Sequence, residues 1–346
     1  MSIDLNAALK LNESAENSAA GLKLDEAAEI AKITARLREL LRSHLHRRGL
    51  IIAISGGIDS AVCAALAVRA VGPERVFGLL LPERDSASES SIRGRMVAEQ
   101  LGIAYEEFDI APVLDALGCY HWRDDAIRAV FPTYGANWKN KIVIASGQAG
   151  KFSYFKLVVQ SPDGQLFEER LDSKNYLQIV AATNFKQRVR KTMEYFHADR
   201  LNYAVIGTPN RLEYDQGFFV KNGDGSADVK PIAHLYKTQV YALARYLKLP
   251  EDICNAQPTT DTYSMAQGQD EFYYALPYDK MDVALLAYNN GKPASKLAEE
   301  LGIGFDQAGF IYHDIEAKRK TTAMLHWPGI AIETVMGPKT KPPIFN

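Results

Sequence analysis

Cysteine is scarce in this 346-residue chain: Cys63, Cys119 and Cys254 stand far apart, with no CxxC pair and no Cys/His cluster. That excludes a disulfide framework and a zinc module. No run of about 18 uncharged apolar residues occurs, so no membrane-spanning helix is expected. The start, MSIDLNAALKLNESAENSAAGLKLDEAAE, lacks a basic segment followed by an apolar one, so no secretory leader is expected. A cytoplasmic protein follows from these absences. A surplus of one charge is missing too, with 40 Lys and Arg against 42 Asp and Glu and a formal net charge of −2. Such a balance creates no field to draw the chain onto nucleic acid or an anionic membrane. Any polyanion has to be met by a local site.

The chain does hold a core, since 47% of its residues are hydrophobic. Its length exceeds one simple domain, which predicts a sizeable core domain with an insertion or appendage. Residues 1–24 are polar and small without a sustained period and read as a mobile arm; 25–346 read as one domain. From Glu26, a helical stripe of Ile30, Ile33, Leu37, Leu41 and Leu45 runs to a stop at Gly49. Then come the apolar run Leu50 to Ile54, the turn SGGIDS, and the helix-like AVCAALAVRAV ended by Gly72-Pro73. A second apolar run, Val76 to Pro82, a helix near Ser88 to Leu101 and a third strand, IAYEEFDI, continue the alternation. Continuous apolar strands alternating with helices predict an α/β fold, a doubly wound, mostly parallel sheet covered on both faces.

That rhythm breaks near residue 119. Lys151 to Leu171 has β-forming arms around a Pro-Asp-Gly turn, the signature of a hairpin, and 119–178 is expected to be a β-rich insertion. Helical character returns from Tyr176 to Arg200, followed by a strand, Tyr203 to Gly207, and the loop KNGDGSAD. A helix is expected from Tyr236 to Leu247, an irregular Thr/Gln-rich stretch at 256–272, and a helical C-terminal tail with segments near Pro293–Leu301 and Asp306–Arg319.

The chemistry concentrates in Ser55-Gly56-Gly57-Ile58-Asp59-Ser60. Consecutive glycines after a strand let the backbone turn tightly and aim several N–H groups at one point, and the next helix turns its positive end there. Such a nest binds phosphate. The Walker A spacing is absent, and Ser55 is not flanked as in a GxSxG nucleophile elbow. The hydroxyls of Ser55 and Ser60 suit phosphate oxygens, and the carboxylate of Asp59 suits magnesium. The alternative is a tight turn with a capping Ser or Asp.

SGGxDS resembles the pyrophosphate loop of the ATP pyrophosphatases, which split ATP between its α and β phosphates and make adenylates. A second run, Gly207-Thr208-Pro209-Asn210-Arg211-Leu212-Glu213 followed by GFFVKNGDGSADVKPI, is similar to the NAD synthetase family, as are NFKQRVR, PTTD at 258–261 and YDKMD at 278–282. The motifs cover about 26–118 and 179–320, leaving the insertion and the arm outside. The resemblance implies an ATP-pyrophosphatase-type fold and a ligase that amidates nicotinic acid adenine dinucleotide with ammonia through an acyl-adenylate. It implies that Ser55 to Ser60, Thr208, Lys237 and Thr259 contact ATP. Asp59 and Glu213 would share Mg2+, with Lys237 beside them in catalysis. Arg188, Lys221, Asp228 and Lys318 would hold the dinucleotide.

These roles suit the residue types. Two carboxylates with open coordination match magnesium on a triphosphate, a lysine can neutralise departing pyrophosphate, and an arginine grips phosphate through paired donors. The alternative for Arg188 is the exposed face of a basic helix that also carries Lys186, Arg190 and Lys191. One departure stands out: where the family commonly has a His-Lys pair, this chain reads Glu316-Ala317-Lys318-Arg319.

The resemblance also implies a homodimer. No segment matches a glutamine-amidase domain, so ammonia is expected to arrive free or from a separate glutaminase; Cys63 lies in an apolar helix and reads as a small core residue. Two further readings stay open here. One is a related synthetase that amidates another carboxylate or transfers sulfur. The other is a nucleic-acid-binding regulator built on the two tail helices, which the overall acidity opposes.

Overall fold

The computed structural model describes residues 21–146, 153–256, 263–265, 268, 273–274 and 276–333. Helix α1 (Glu26–Leu40) starts where the Asp25 carboxylate accepts the Ala28 N–H at 2.9 Å, a side-chain cap for an otherwise orphaned donor. It buries Ile30, Ile33 and Leu37, then loosens into a π turn, Leu41–Leu45. Of the expected arm, residues 1–20 lie outside the described residues. Leu24 packs on the main core, and the Gln239 side chain donates to the Leu22 carbonyl at 3.3 Å.

The sheet follows the expected alternation: β1 (Leu50–Ala53), α2 (Ile58–Val71), β2 (Val76–Leu80), α3 (Ser88–Leu101) and β3 (Ala104–Glu107). A later strand, β7 (Ala204–Val205), pairs with β1, giving the parallel order β3-β2-β1-β7. The continuous apolar runs have a simple cause, because successive side chains of a strand point to opposite faces. Leu50 and Ile52 enter the core under α1 and α2, while Ile51, with Leu79 and Val205, enters a second core under a later helix. Both faces of β1 are covered, so alternation would leave a polar side chain in a core.

The insertion departs from expectation at its start. Residues 119–130 form a helix, not β structure. After the short α4 (Ala111–Ala116), α5 (Cys119–Val130) buries Tyr120, Arg123, Ala126 and Ile127 against the long α6 (Ser173–Leu201). The helical period of that face was obscured because one of its inward positions is an arginine, held by carboxylates of Asp85 and Asp124. The β character comes later, in the antiparallel β4 (Lys139–Ser146), β5 (Ser153–Gln160) and β6 (Leu166–Arg170). The Pro-Asp-Gly segment does turn β5 into β6, with Gly164 at φ 89°. Ile142, Leu157 and Val159 of this sheet form a separate core with Ile127 and Ile179 of the two helices.

Beyond β7 come α7 (Arg211–Gln216), α8 (Lys237–Tyr246), α9 (Glu251–Cys254), α10 (Tyr278–Asn289), α11 (Ala294–Leu301) and α12 (Phe305–Thr322). The tail helices bury Leu297, Ala308, Ile311 and Ile315 against Met281, Ala284 and Leu285 of α10. The inward faces of these helices thus build a satellite core.

Candidate active site

The strand-to-helix turn after β1 takes its shape from its own hydroxyls. The buried Ser60 Oγ donates to the Gly57 carbonyl at 2.9 Å and accepts the Ser55 N–H at 3.2 Å. The Gly57 N–H donates to Ser55 Oγ at 3.3 Å. Gly56 sits at φ 78°, and a Cβ there would lie 2.4 Å from the Ser90 carbonyl oxygen, so the first turn of α3 presses directly on the loop. Ser60 therefore holds the loop, while Ser55 is exposed on it. The first-turn N–H groups of α2 have no partner within the helix and add its positive end at this point.

Next to the loop, α2 and α8 start side by side. Asp59, in the first turn of α2, forms an ion pair with Lys237, the first residue of α8, whose side chain is only 2% exposed. The other Asp59 oxygen accepts from Asn210 Nδ2 at 3.2 Å. Asn210 also caps α7: its Oδ1 accepts the Glu213 N–H at 3.2 Å, and its own N–H donates to Glu213 Oε2 at 3.1 Å. One asparagine thus joins the two carboxylates expected to share a metal. Asp282, on α10, accepts the N–H groups of Lys237 at 3.2 Å and Thr238 at 2.7 Å and so fixes the start of α8.

The electrostatics follow from burial. Burial opposes charge on Lys237, but Asp59 and Glu213 outweigh it and hold the ammonium well above the ordinary lysine range. Asp282 is pushed up to about 6 by burial, against the N–H groups it accepts. Burial, then the charges of Asp59 and Glu213, push the Cys63 thiol up, so it is no nucleophile. Among the described residues, no group of three or more His, Cys, Asp or Glu side chains could by itself cage a metal.

A cavity of about 620 Å3 opens on this constellation. Ser55 to Ser60, Thr208, Glu213, Lys237, Arg188 and Lys221 all line it. Arg188 Nε donates to the Lys221 carbonyl at 3.3 Å, and Lys221 Nζ donates to the Met324 carbonyl at 2.7 Å, so the turn after α12 reaches the cavity as well. Two expected substrate residues do not line it. Asp228 is tied to β7 through the Val205 N–H at 2.8 Å. Lys318 donates to Asp314 at 2.6 Å and to the Tyr273 carbonyl at 2.7 Å, and burial lowers its pKa despite Asp314. Thr259 lies outside the described residues.

The sequence reading missed Asn210, although an Asn followed three residues later by Glu is the spacing of a capping box. Of the basic residues in this segment of α6, only Arg188 is exposed, and it lines the cavity. Lys186 is buried between Glu83 at 2.9 Å and Asp85 at 2.7 Å. Lys191 is buried against Glu194 at 2.7 Å, and Arg190 Nε donates to the Leu81 carbonyl at 3.1 Å. Arg190, Lys191 and Glu194 line the cavity. The Lys191–Glu194 pair has the local i,i+3 spacing of a helix, but no local pattern announces Glu83, Asp85 or Leu81, which are about a hundred residues away.

A family model described as NAD synthase matches residues 29–148 and 156–321. It thus runs through most of the 119–178 segment, a wider reach than the motifs alone had. The NH(3)-dependent NAD(+) synthetase of Rhizobium meliloti (strain 1021) is 57% identical over 310 residues, covering 89% of this chain and 92% of that protein. In fold, the chain is similar to NMN synthetase from Francisella tularensis, with a TM-score of 0.63 at 21% identity over 90% of this chain and 100% of that one. It is likewise similar to the NH3-dependent NAD synthetase from Campylobacter jejuni in complex with nitrate, with a TM-score of 0.58 at 22% identity and the same coverage. With a glycine turn, paired carboxylates and a buried lysine on one cavity, and with these matches along nearly its whole length, the chain belongs to the NAD synthase family.

Proposed function

We propose that the chain is an ammonia-dependent NAD synthetase that uses ATP to convert nicotinic acid adenine dinucleotide into NAD, AMP and pyrophosphate. The observation that carries this reading is the convergence on one cavity of the SGGIDS loop, Glu213 and Lys237 with the cations Arg188 and Lys221. The similarity to proteins named NH(3)-dependent NAD(+) synthetase supports the choice of substrate.

In this reading the loop and the α2 N-terminus cradle the triphosphate, and Arg188 and Lys221 hold the dinucleotide so that its carboxylate faces the α-phosphorus. A carboxylate oxygen attacks, the bond between the α-phosphorus and the bridging oxygen breaks, and pyrophosphate departs. Lys237 supplies positive charge for that leaving group, and its own backbone N–H is anchored by Asp282. Ammonia then attacks the acyl carbon, AMP leaves with the C–O electron pair, and the nitrogen loses a proton to solvent. Positioning and charge stabilisation carry the acceleration.

Asp59 and Glu213 are the residues that would hold Mg2+. Two carboxylates joined through Asn210 fit a hard cation that keeps several waters and takes other ligands from phosphate, and they are too few for an all-protein cage. When bound, the ion would neutralise charge on the triphosphate.

All three thiols are buried, so the nitrogen is drawn from free ammonia or from a separate glutaminase. No described helix is long and apolar enough to cross a membrane, and we place the reaction in the cytoplasm. A homodimer is supported by the outer side of α6, where Leu177 is 63% and Phe196 58% exposed and Ala181 is exposed between them. Sedimentation at micromolar concentration is expected to give a dimer, and a monomer would contradict it. The decisive assay supplies ATP, magnesium, ammonium and the dinucleotide and separates the products. Equal amounts of AMP and NAD support the proposal; ATP binding without NAD removes the substrate assignment.

A further inference from the structure

One wall of the cavity comes from the inserted sheet. On β5, Phe155, Leu157 and Val159 share a face by the strand period of two. Leu157 and Val159 are fully buried and Phe155 is half-buried, so this row leaves the core at Phe155 and opens on the cavity. The Phe155 ring stacks on Tyr176, in the first turn of α6, with centroids 4.2 Å apart and planes 17° from parallel. Tyr176 lines the cavity as well.

From Tyr176 the cavity-lining stripe of α6 continues through Val180, Thr183 and Gln187 to Arg188 and Lys191. At the helical rise this separates the aromatic pair from the Lys191 backbone by roughly 22 Å. The stripe is apolar and aromatic where it begins and charged where it ends, with Arg188, Arg190 and Lys191 outnumbering Glu194. Such a gradient suits an elongated ligand that carries a flat ring at one point and phosphate at another. Phe155 lies in 149–155, between the two ranges that the family model matches.

We propose that Phe155 and Tyr176 form a stacking platform for a heteroaromatic ring of the dinucleotide, and that Phe155 is the inserted sheet's contribution to substrate specificity. The proposal rests on the reading above that the second substrate is a dinucleotide. Every nucleobase or pyridine has a π face, and stacking on an aromatic side chain is a contact that an aliphatic side chain of similar size does not replace.

The test compares Phe155→Leu, Phe155→Ala and Phe155→Trp with the wild-type enzyme by steady-state kinetics, varying each substrate in turn. The Leu and Ala variants are expected to raise the KM for the dinucleotide about tenfold, leaving the KM for ATP and the saturated kcat unchanged. Trp is expected to restore the wild-type KM. Leu retains the bulk of the side chain, so a loss shared by Leu and Ala and repaired by Trp separates stacking from packing. An unchanged dinucleotide KM in the Leu variant, or a rise confined to ATP, overturns the proposal. If the wild-type chain makes no NAD, the functional reading fails instead. Calorimetric titration of the dinucleotide into wild type and Phe155→Leu then decides the platform directly, by tenfold weaker binding or by none.

Discussion

The two parts of the cavity wall are built on different principles. Around the loop, the wall rests on backbone conformation and on charges that exist only as a set. Gly56 has no room for a side chain, and Asp59, Lys237, Asn210 and Glu213 each satisfy another member. Around Phe155, two half-buried rings rest on a three-stranded sheet with its own core. The first part cannot change one member without stranding another in low dielectric. The second can exchange a ring with local consequences, which makes it the natural place for substrate preference to vary.

The sharpest break in this comparison is Asp59→Ala. It leaves the Lys237 ammonium buried without its partner, a loss of about 3–5 kcal/mol, and should abolish NAD formation. Thermal unfolding and product assay read both effects, and a stable, active variant would contradict the coupled set. In the proposed mechanism Lys237→Met removes the charge that would meet pyrophosphate, and it is expected to lower kcat by about 10²–10³-fold, with a smaller loss of stability.

Gly56→Ala must move the Ser90 carbonyl and hold a side chain at positive φ. A cost of about 1–2 kcal/mol and a raised KM for ATP are expected, with the dinucleotide KM unchanged. Arg188→Ala should do the reverse, raising the dinucleotide KM about tenfold and sparing ATP. Initial-rate kinetics with each substrate separate the two.

The smallest effect is a pH dependence. Asp282 has a folded pKa of about 6, above the usual carboxylate range. It therefore favours the folded state fully only when protonated, below about pH 4, and this contribution is lost as pH rises through about 6. The melting temperature of Asp282→Asn, relative to wild type, should rise between those values; a constant difference would remove the role of Asp282 titration.

Where the chain builds structure from local pattern, sequence was sufficient. The parallel strands show as continuous apolar runs because both faces are covered, and the tight strand-to-helix turn shows because two glycines and a helix start must be adjacent. What escaped were arrangements made by distant partners. Helix α5 was read as part of a β-rich insertion because Arg123 occupies an inward position, acceptable only beside Asp85, which belongs to the loop after β2. Lys186 looked solvent-facing because Glu83 and Asp85, which bury it, lie about a hundred residues away. The bond between Asp228 and the Val205 N–H of β7 likewise spans 23 residues. The position of Phe155 on the cavity depends on how the inserted sheet packs against α6, which no local spacing encodes.

The most direct test of the account is oxygen transfer. The dinucleotide is prepared with 18O in its carboxylate, turned over with ATP and ammonia, and the products are weighed by mass spectrometry. Attack of the carboxylate on the α-phosphorus predicts one labelled oxygen in AMP and none in pyrophosphate. Unlabelled AMP, or label in pyrophosphate, would contradict adenylation and with it the role assigned to the loop.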